Sequence, residues 1–192
     1  MDLKNINIGF AMTGSFCTFA KVVPQIEHLS NLGADIYPIM SEFAYSTDTR
    51  FGTAEHFVEQ IEQITGRKVI HSITSAEPIG PKNFLDALII APATGNTIAK
   101  LANAVTDSTV TMAAKANLRN GKPLIIGISS NDALGGSAKN IGLLMNMKNI
   151  YFVPFGQDDP VNKPKSIVAD MSKIEQTLIH ALEGVQVQPL LV

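Results

Sequence analysis

Three short polar runs stand out in this chain because each follows an apolar stretch: Thr13-Gly14-Ser15, Thr94-Gly95-Asn96-Thr97 and Ser129-Ser130-Asn131-Asp132. Glycine permits close backbone approach, and a hydroxyl beside the free N–H groups of a helix start makes an anion site. Thr13-Gly14-Ser15 meets both conditions, although a tight turn with a capping serine accounts for these residues equally well. No GxGxxG is present, so the usual dinucleotide fingerprint is absent. From Ala91 to Lys100 the signal is richer. Pro92 ends an apolar run, and Thr94 to Thr97 bring hydroxyl, amide and backbone donors to a helix start, where they can hold a phosphate or the polar edge of a heterocycle. Taken alone, Thr-Gly-Asn-Thr is also what a well-capped helix needs.

Few side chains suit proton transfer. Asn96 and His71 are the catalytic candidates. His71 closes an apolar run, and its near-neutral pKa suits the task, while a solvated structural histidine is the plainer account. His28, His56 and His180 fall in helical patterns and read as surface residues. Cys17 sits in a first helical turn, where a thiol pKa falls, yet a lone cysteine usually serves packing. Asp158 and Asp159 have no His or Cys at ligand spacing, so no metal is expected, and a turn ended by Pro160 explains them. Asn131 and Asp132 with Gly135-Gly136 read as a mobile polar loop. Leu143, Leu144, Met145 and Met147 read as core or subunit contact.

Short apolar runs alternate with helical patterns, the signature of βαβ units. The expectation is an α/β fold: one domain with a doubly wound, Rossmann- or flavodoxin-like parallel sheet of six strands. The strands are placed at Ile6–Ala11, Asp35–Met40, Lys68–His71, Asp86–Ala91, Pro123–Ile128 and Ile150–Pro154. Helices are placed from Phe16 to Gly33, Thr53 to Thr65, Thr94 to Asn103, Ser108 to Asn120 with Asp107 as N-cap, and Lys165 to Leu182. Ser41 to Gly52 reads as a polar loop, and Ser72 to Asn83, with Pro78-Ile79-Gly80-Pro81, as non-helical. Residues 1–184 form the expected domain and 185–192 an arm-like tail. In such sheets ligands bind beyond the carboxyl ends of the strands. That rule selects Thr13-Gly14-Ser15, Ser41 onward, His71 onward, Pro92 to Thr97, Ser129 to Asp132 and Phe155 to Pro160.

The 192 residues suffice for one domain that buries roughly 70% of its unfolded surface. Fifteen basic and 17 acidic residues leave a net charge of -2 with no basic run, so nucleic acid is not an expected partner. Cys17 is the single cysteine, which excludes an intrachain disulfide and fits a reducing, cytoplasmic setting. No basic region followed by an apolar run precedes the first strand, so no leader is expected, and the longest apolar stretch, near Ala87 to Ala93, is far short of the roughly 20 residues of a membrane span. Low charge with positive mean hydropathy points to covered surface, hence an oligomer.

Pro92-Ala93-Thr94-Gly95-Asn96-Thr97 resembles the Pro-Ala-Ser-Ala-Asn-Thr motif of the homo-oligomeric flavin-containing cysteine decarboxylase family, which in that family lies over the flavin and the substrate. The resemblance continues through Ile98-Ala99-Lys100-Leu101-Ala102 to Thr106-Asp107-Ser108 and includes the Thr13-Gly14-Ser15 turn. It implies a flavin mononucleotide (FMN) site. Thr13, Gly14, Ser15 and Ser41 would serve it from the first two strands. Pro92, Ala93, Thr94, Gly95, Asn96 and Thr97 would serve it from the central motif, with Asp107, Ser129 and Asn131 completing it. The resemblance also implies a trimer or a dodecamer built from trimers.

Ser129-Ser130-Asn131-Asp132 and the run from Asn149 to Pro160 resemble one branch of that family, found in spore-forming bacteria. The branch implies an oxidoreductase subunit for a small dicarboxylate, with NAD(P) carried by a separate partner subunit in the mother-cell cytoplasm. Departures from the family matter too. Its decarboxylases carry a histidine base where this chain reads Ala76-Glu77-Pro78-Ile79-Gly80, and a Pro-Ala-Met-Asn clamp where it reads Ser129-Ser130-Asn131-Asp132. Oxidative decarboxylation of a cysteine is therefore disfavoured. Arginine is scarce (only Arg50, Arg67 and Arg119) and lysines such as Lys100 and Lys139 are scattered, so the partner is expected to share in anion binding. Two other readings stay open: a non-catalytic binding or assembly subunit with a vestigial flavin pocket, and a free-standing flavin-dependent decarboxylase or flavin prenyltransferase.

Overall fold

Apolar runs without helical spacing form the strands, and amphipathic runs between them form the helices. In chain order these are β1 (Asn7–Met12), a 3₁₀ turn (Phe16–Thr18), α1 (Phe19–Asn31), β2 (Asp35–Met40), α2 (Glu42–Ser46) and α3 (Ala54–Thr65). Then follow α4 (Ile73–Ala76), α5 (Ile79–Lys82), β3 (Ala87–Ala93), α6 (Gly95–Ala102), α7 (Thr109–Arg119) and β4 (Leu124–Ser130). The chain ends with α8 (Ala138–Met145), β5 (Ile150–Phe152), β6 (Phe155–Gly156), β7 (Ile167–Ala169), a second 3₁₀ turn (Met171–Lys173) and α9 (Ile174–Leu182). The computed structural model describes residues 3–192; Met1 and Asp2, which the expected domain 1–184 includes, lie outside the described residues.

Strands β2, β1, β3, β4 and β5 pair in that order, all parallel. The chain steps outward from β1 to β2 and then returns to β3 on the other side, so strand order reverses between β1 and β3, where doubly wound sheets bind ligands. Every residue of β3 is buried, as helices on both faces of a parallel strand require. At the carboxyl end of β4, Ser129 and Ser130 pair antiparallel with β7, which pairs in turn with β6. The sheet therefore has seven strands rather than the expected six. Among the described residues no helix is long and apolar enough to cross a membrane.

The expected strand at Lys68–His71 shrinks to a single bridge between Ile70 and Ile39. Pro38 explains it. Met40 donates outward to the Ile70 carbonyl, so Pro38, two residues earlier, would also have to donate outward and has no N–H. The stretch 72–83, expected to be non-helical, holds two single-turn helices. Ser72 and Ser75 form a reciprocal capping box on α4, and Pro81 falls in the first turn of α5, where a missing N–H breaks no bond within the helix. The loop from Ser41 likewise contains α2, capped by Ser41.

The helix expected over 165–182 begins only at Ile174. Ile167 and Val168 prefer the extended state, and Asp170 accepts hydrogen bonds from the Ser172 N–H and hydroxyl to start the next turn. The N-cap of α7 is Ser108, not Asp107, whose carboxylate instead pairs with Lys100 at 2.7 Å. Residues 185–192, expected as an arm, lie against the domain: Gln186 brackets the Phe152 backbone with two hydrogen bonds, Val187 is buried, and Phe155 donates to the Leu190 carbonyl.

Candidate functional site

The carboxyl ends of β1, β3 and β4 meet in one cleft of about 1070 Å³. Thr13 ties the first two together. Its buried Oγ1 donates to the Pro92 carbonyl at 2.6 Å and accepts from the Thr94 N–H at 3.0 Å. Thr94 then caps α6 by accepting from the Thr97 N–H. The N–H groups of Gly95 and Asn96 precede the helical hydrogen-bonding ladder and are left for a ligand. Ser129 joins β4 to β1: its hydroxyl lies 2.7 Å from those of both Ser15 and Thr18. Gly14 has no room for a side chain, since a Cβ there would stand 2.8 Å from the Phe43 ring. Phe16 and Phe51 add aromatic surface to the rim.

The opposite wall is the β6–β7 connection. Asp159 accepts from the backbone and side chain of Asn162, Gln157 donates to the Pro164 carbonyl, and Leu134 donates to the Lys165 carbonyl at 2.9 Å. These bonds hold Lys163 and Lys165 at the cleft edge. Lys163 pairs with Asp158 at 3.3 Å. The Ser166 hydroxyl, and then Lys163, hold the Asp158 carboxyl below the usual carboxylate range against the opposing cost of burial. A depressed folded-state pKa adds stability above the ordinary aspartate value of about 3.9, and that stability is lost as pH falls through the lowered value. We expect Asp158→Ala at pH 7 to accelerate hydrogen exchange at Lys163 and Ser166, and wild type to show the same change, corrected for intrinsic rate, only on strong acidification.

The structure brings Gly14, Ser15, Thr94, Gly95, Asn96, Ser129 and Asn131 to the cleft surface. It does not bring the others. Thr13, Pro92, Ala93 and Thr97 are buried behind it as supports, Ser41 is occupied in capping α2, and Asp107 faces Lys100. His71 stacks on Tyr45 with centroids 3.9 Å apart, beside a separate depression that includes Asp48 and Lys68. Sequence reasoning missed Ser130, Ser137, Lys163, Lys165 and Ser166. Ser130 lay inside a run already singled out. The lysines were hidden because Lys165 read as the start of a helix.

Volume and donors both fit a flavin nucleotide. The cleft is at the upper end of typical ligand sites, roughly 300–1,000 Å³, the Ser15 and Ser129 hydroxyls and the free α6 N–H groups suit phosphate or ring-edge oxygens, and Phe16 and Phe51 suit a flat ring.

The Flavoprotein family profile matches residues 1–182. The B subunit of dipicolinate synthase from Bacillus subtilis (strain 168) is 54% identical over 191 residues, covering 100% of this chain and 96% of that protein. The crystal structure of the dipicolinate synthase B subunit from Bacillus halodurans C superposes with a TM-score of 0.92 at 50% identity, covering 100% of this chain and 98% of the other. Burkholderia xenovorans DmrB in complex with FMN, a cubic protein cage for redox transfer, shares the fold with a TM-score of 0.69 at 18% identity, covering 93% and 96%.

Proposed function

Because this chain belongs to the Flavoprotein family, we propose that it works with the A subunit of a dipicolinate synthase to oxidise dihydrodipicolinate to dipicolinate (pyridine-2,6-dicarboxylate) during sporulation, supplying an FMN site, a substrate site or both. The observation that carries the reading is the cleft itself, with hydroxyl and amide donors on one wall and two lysines on the other. Oxidation removes a hydride equivalent and a proton from the dihydropyridine ring, and the NAD(P) of the companion chain accepts the hydride. A bound flavin would supply a two-electron relay between ring and nicotinamide. In this chain Ser15 and Ser129, held by the buried Thr18 hydroxyl, bind anionic oxygens, Asn96 hydrogen-bonds at the mouth of the cleft, and Phe16 and Phe51 exclude water. A homo-oligomer, trimeric or dodecameric, in the mother-cell cytoplasm completes the proposal.

The test is the visible spectrum of the purified chain before and after adding FMN and removing the excess. A retained flavin spectrum supports the reading; a chain that stays colourless removes flavin from it. Ser129→Ala is expected to weaken FMN retention by roughly tenfold, because two hydroxyls lose their shared partner. Asn96→Ala should lower the activity reconstituted with the companion chain, and unchanged flavin binding together with unchanged activity would misplace the site. Turnover by the companion chain alone at the full rate would instead favour the assembly-subunit reading.

A further inference from the structure

The polar surface of the cleft is unevenly satisfied. Ser15, Thr18 and Ser129 bond to one another, and Thr94 is used by its own helix. Ser137 differs. It is 7% exposed and lines the cleft, yet its hydroxyl has no hydrogen-bond partner among the described residues, and it does not cap α8. A hydroxyl that opens onto a cleft with its donor unused is available to a ligand oxygen.

Its neighbours say what kind of ligand. A Cβ on Gly95 would stand 2.7 Å from the Ser137 Oγ and 2.8 Å from the Ser130 Oγ, so both hydroxyls converge on the first residue of α6. Where the family motif has alanine, this chain has glycine, and the space is given to two donors. The leading N–H groups of α6 open at the same point, with the positive end of the helix behind them. Lys165 lines the same cleft: its Cδ lies 3.2 Å from where a Gly135 Cβ would be, and its ammonium group has no ion-pair partner among the described residues, unlike Lys163. The Asp132 carboxylate also borders the cleft, but it folds back over Gly135 and Gly136. Hydroxyl donors and free N–H groups around a glycine-made notch, with one unpaired ammonium lining the same cleft, are the complement of a carboxylate.

We propose that the notch formed by Gly95, Ser130 and Ser137, in the cleft that Lys165 also lines, is a carboxylate subsite that receives one of the two carboxylates of the pyridine dicarboxylate. The proposal rests on the dicarboxylate reading above and assigns it residues. Titration calorimetry in metal-free buffer, with the flavin-loaded chain and pyridine-2,6-dicarboxylate as probe, tests it. Ser137→Ala and Lys165→Gln are each expected to weaken binding by about tenfold, with the lysine variant also flattening the salt dependence. Gly95→Ala, which covers both hydroxyls with a methyl group, should weaken it at least as much. Pyridine-2-carboxylate should lose affinity in the same variants, while pyridine should bind none of the proteins measurably. Unchanged circular dichroism and urea midpoints establish that the variants are folded. Tight binding of the dicarboxylate by wild type and all three variants alike would overturn the subsite but leave the proposed function standing. Failure of wild type to bind the dicarboxylate, with flavin retained, would overturn the subsite and leave this chain only the flavin part of the proposed function.

Discussion

Thr13→Val is expected to destabilise the protein by about 2–3 kcal/mol and to abolish measurable flavin retention, a larger functional effect than replacing any residue on the cleft surface. The valine matches threonine in shape, so the change is chemical. It leaves the Pro92 carbonyl without its 2.6 Å donor and the Thr94 N–H without its 3.0 Å acceptor, at a residue 1% exposed. The Thr13 N–H still reaches the Pro92 carbonyl at 3.3 Å, so the strands remain joined. What is lost is the bond that fixes the entry to α6, and with it the aim of the Gly95 and Asn96 N–H groups. Thr13→Ser keeps the hydroxyl and is expected to restore flavin retention. Urea midpoints and flavin absorbance, measured on both variants, separate the two effects. Equal flavin retention in Thr13→Val and wild type would show that this bond does not position the site.

The second large effect lies in the sheet. Leu88→Ala in β3, at a residue 0% exposed, is expected to cost about 3–4 kcal/mol, from lost burial and from the cavity left behind. The cavity would open directly onto Gly9 of β1, where a Cβ would lie 2.7 Å from the Leu88 Cδ1 and 2.8 Å from that of Leu85. Gly9→Ala alone should therefore overpack this contact and cost about 1–3 kcal/mol. Together the two changes should cost less than their separate effects added, with a coupling of about 1 kcal/mol in the double-mutant cycle. Strict additivity in denaturant unfolding would mean that the two side chains do not share the space.

Periodicity made the parallel layer legible. The β1, β2, β3, β4 and β5 segments were all placed from their apolar runs, because a strand covered on both faces must be apolar throughout, whatever its neighbours. The same local logic located the runs at Gly14, Gly95 and Ser129, since polar residues after an apolar strand mark a strand's end. Local logic failed where a long-range partner decides. Lys68–His71 has strand composition, but Pro38, on a neighbouring strand far back in the chain, denies it a ladder. Lys165–Ala169 followed a helical spacing, but the free edge at Ser129 and Ser130 captured Ile167 and Val168 as a strand.

The sequence by itself determined the α/β class, the positions of the buried strands and the flavoprotein-like motif, since each depends on residue type and spacing along a short stretch of chain. Only the tertiary structure decided which polar residues share a cleft. It removed His71 and Asp107 to other surfaces, brought Ser130 and Ser137 to Gly95, and brought Lys165 to the same cleft. The physical reason is that hydrogen-bond satisfaction in a folded core is settled by neighbours far apart in sequence. Whether a hydroxyl such as that of Ser137 is left without a partner can be known only when every group around it has been placed.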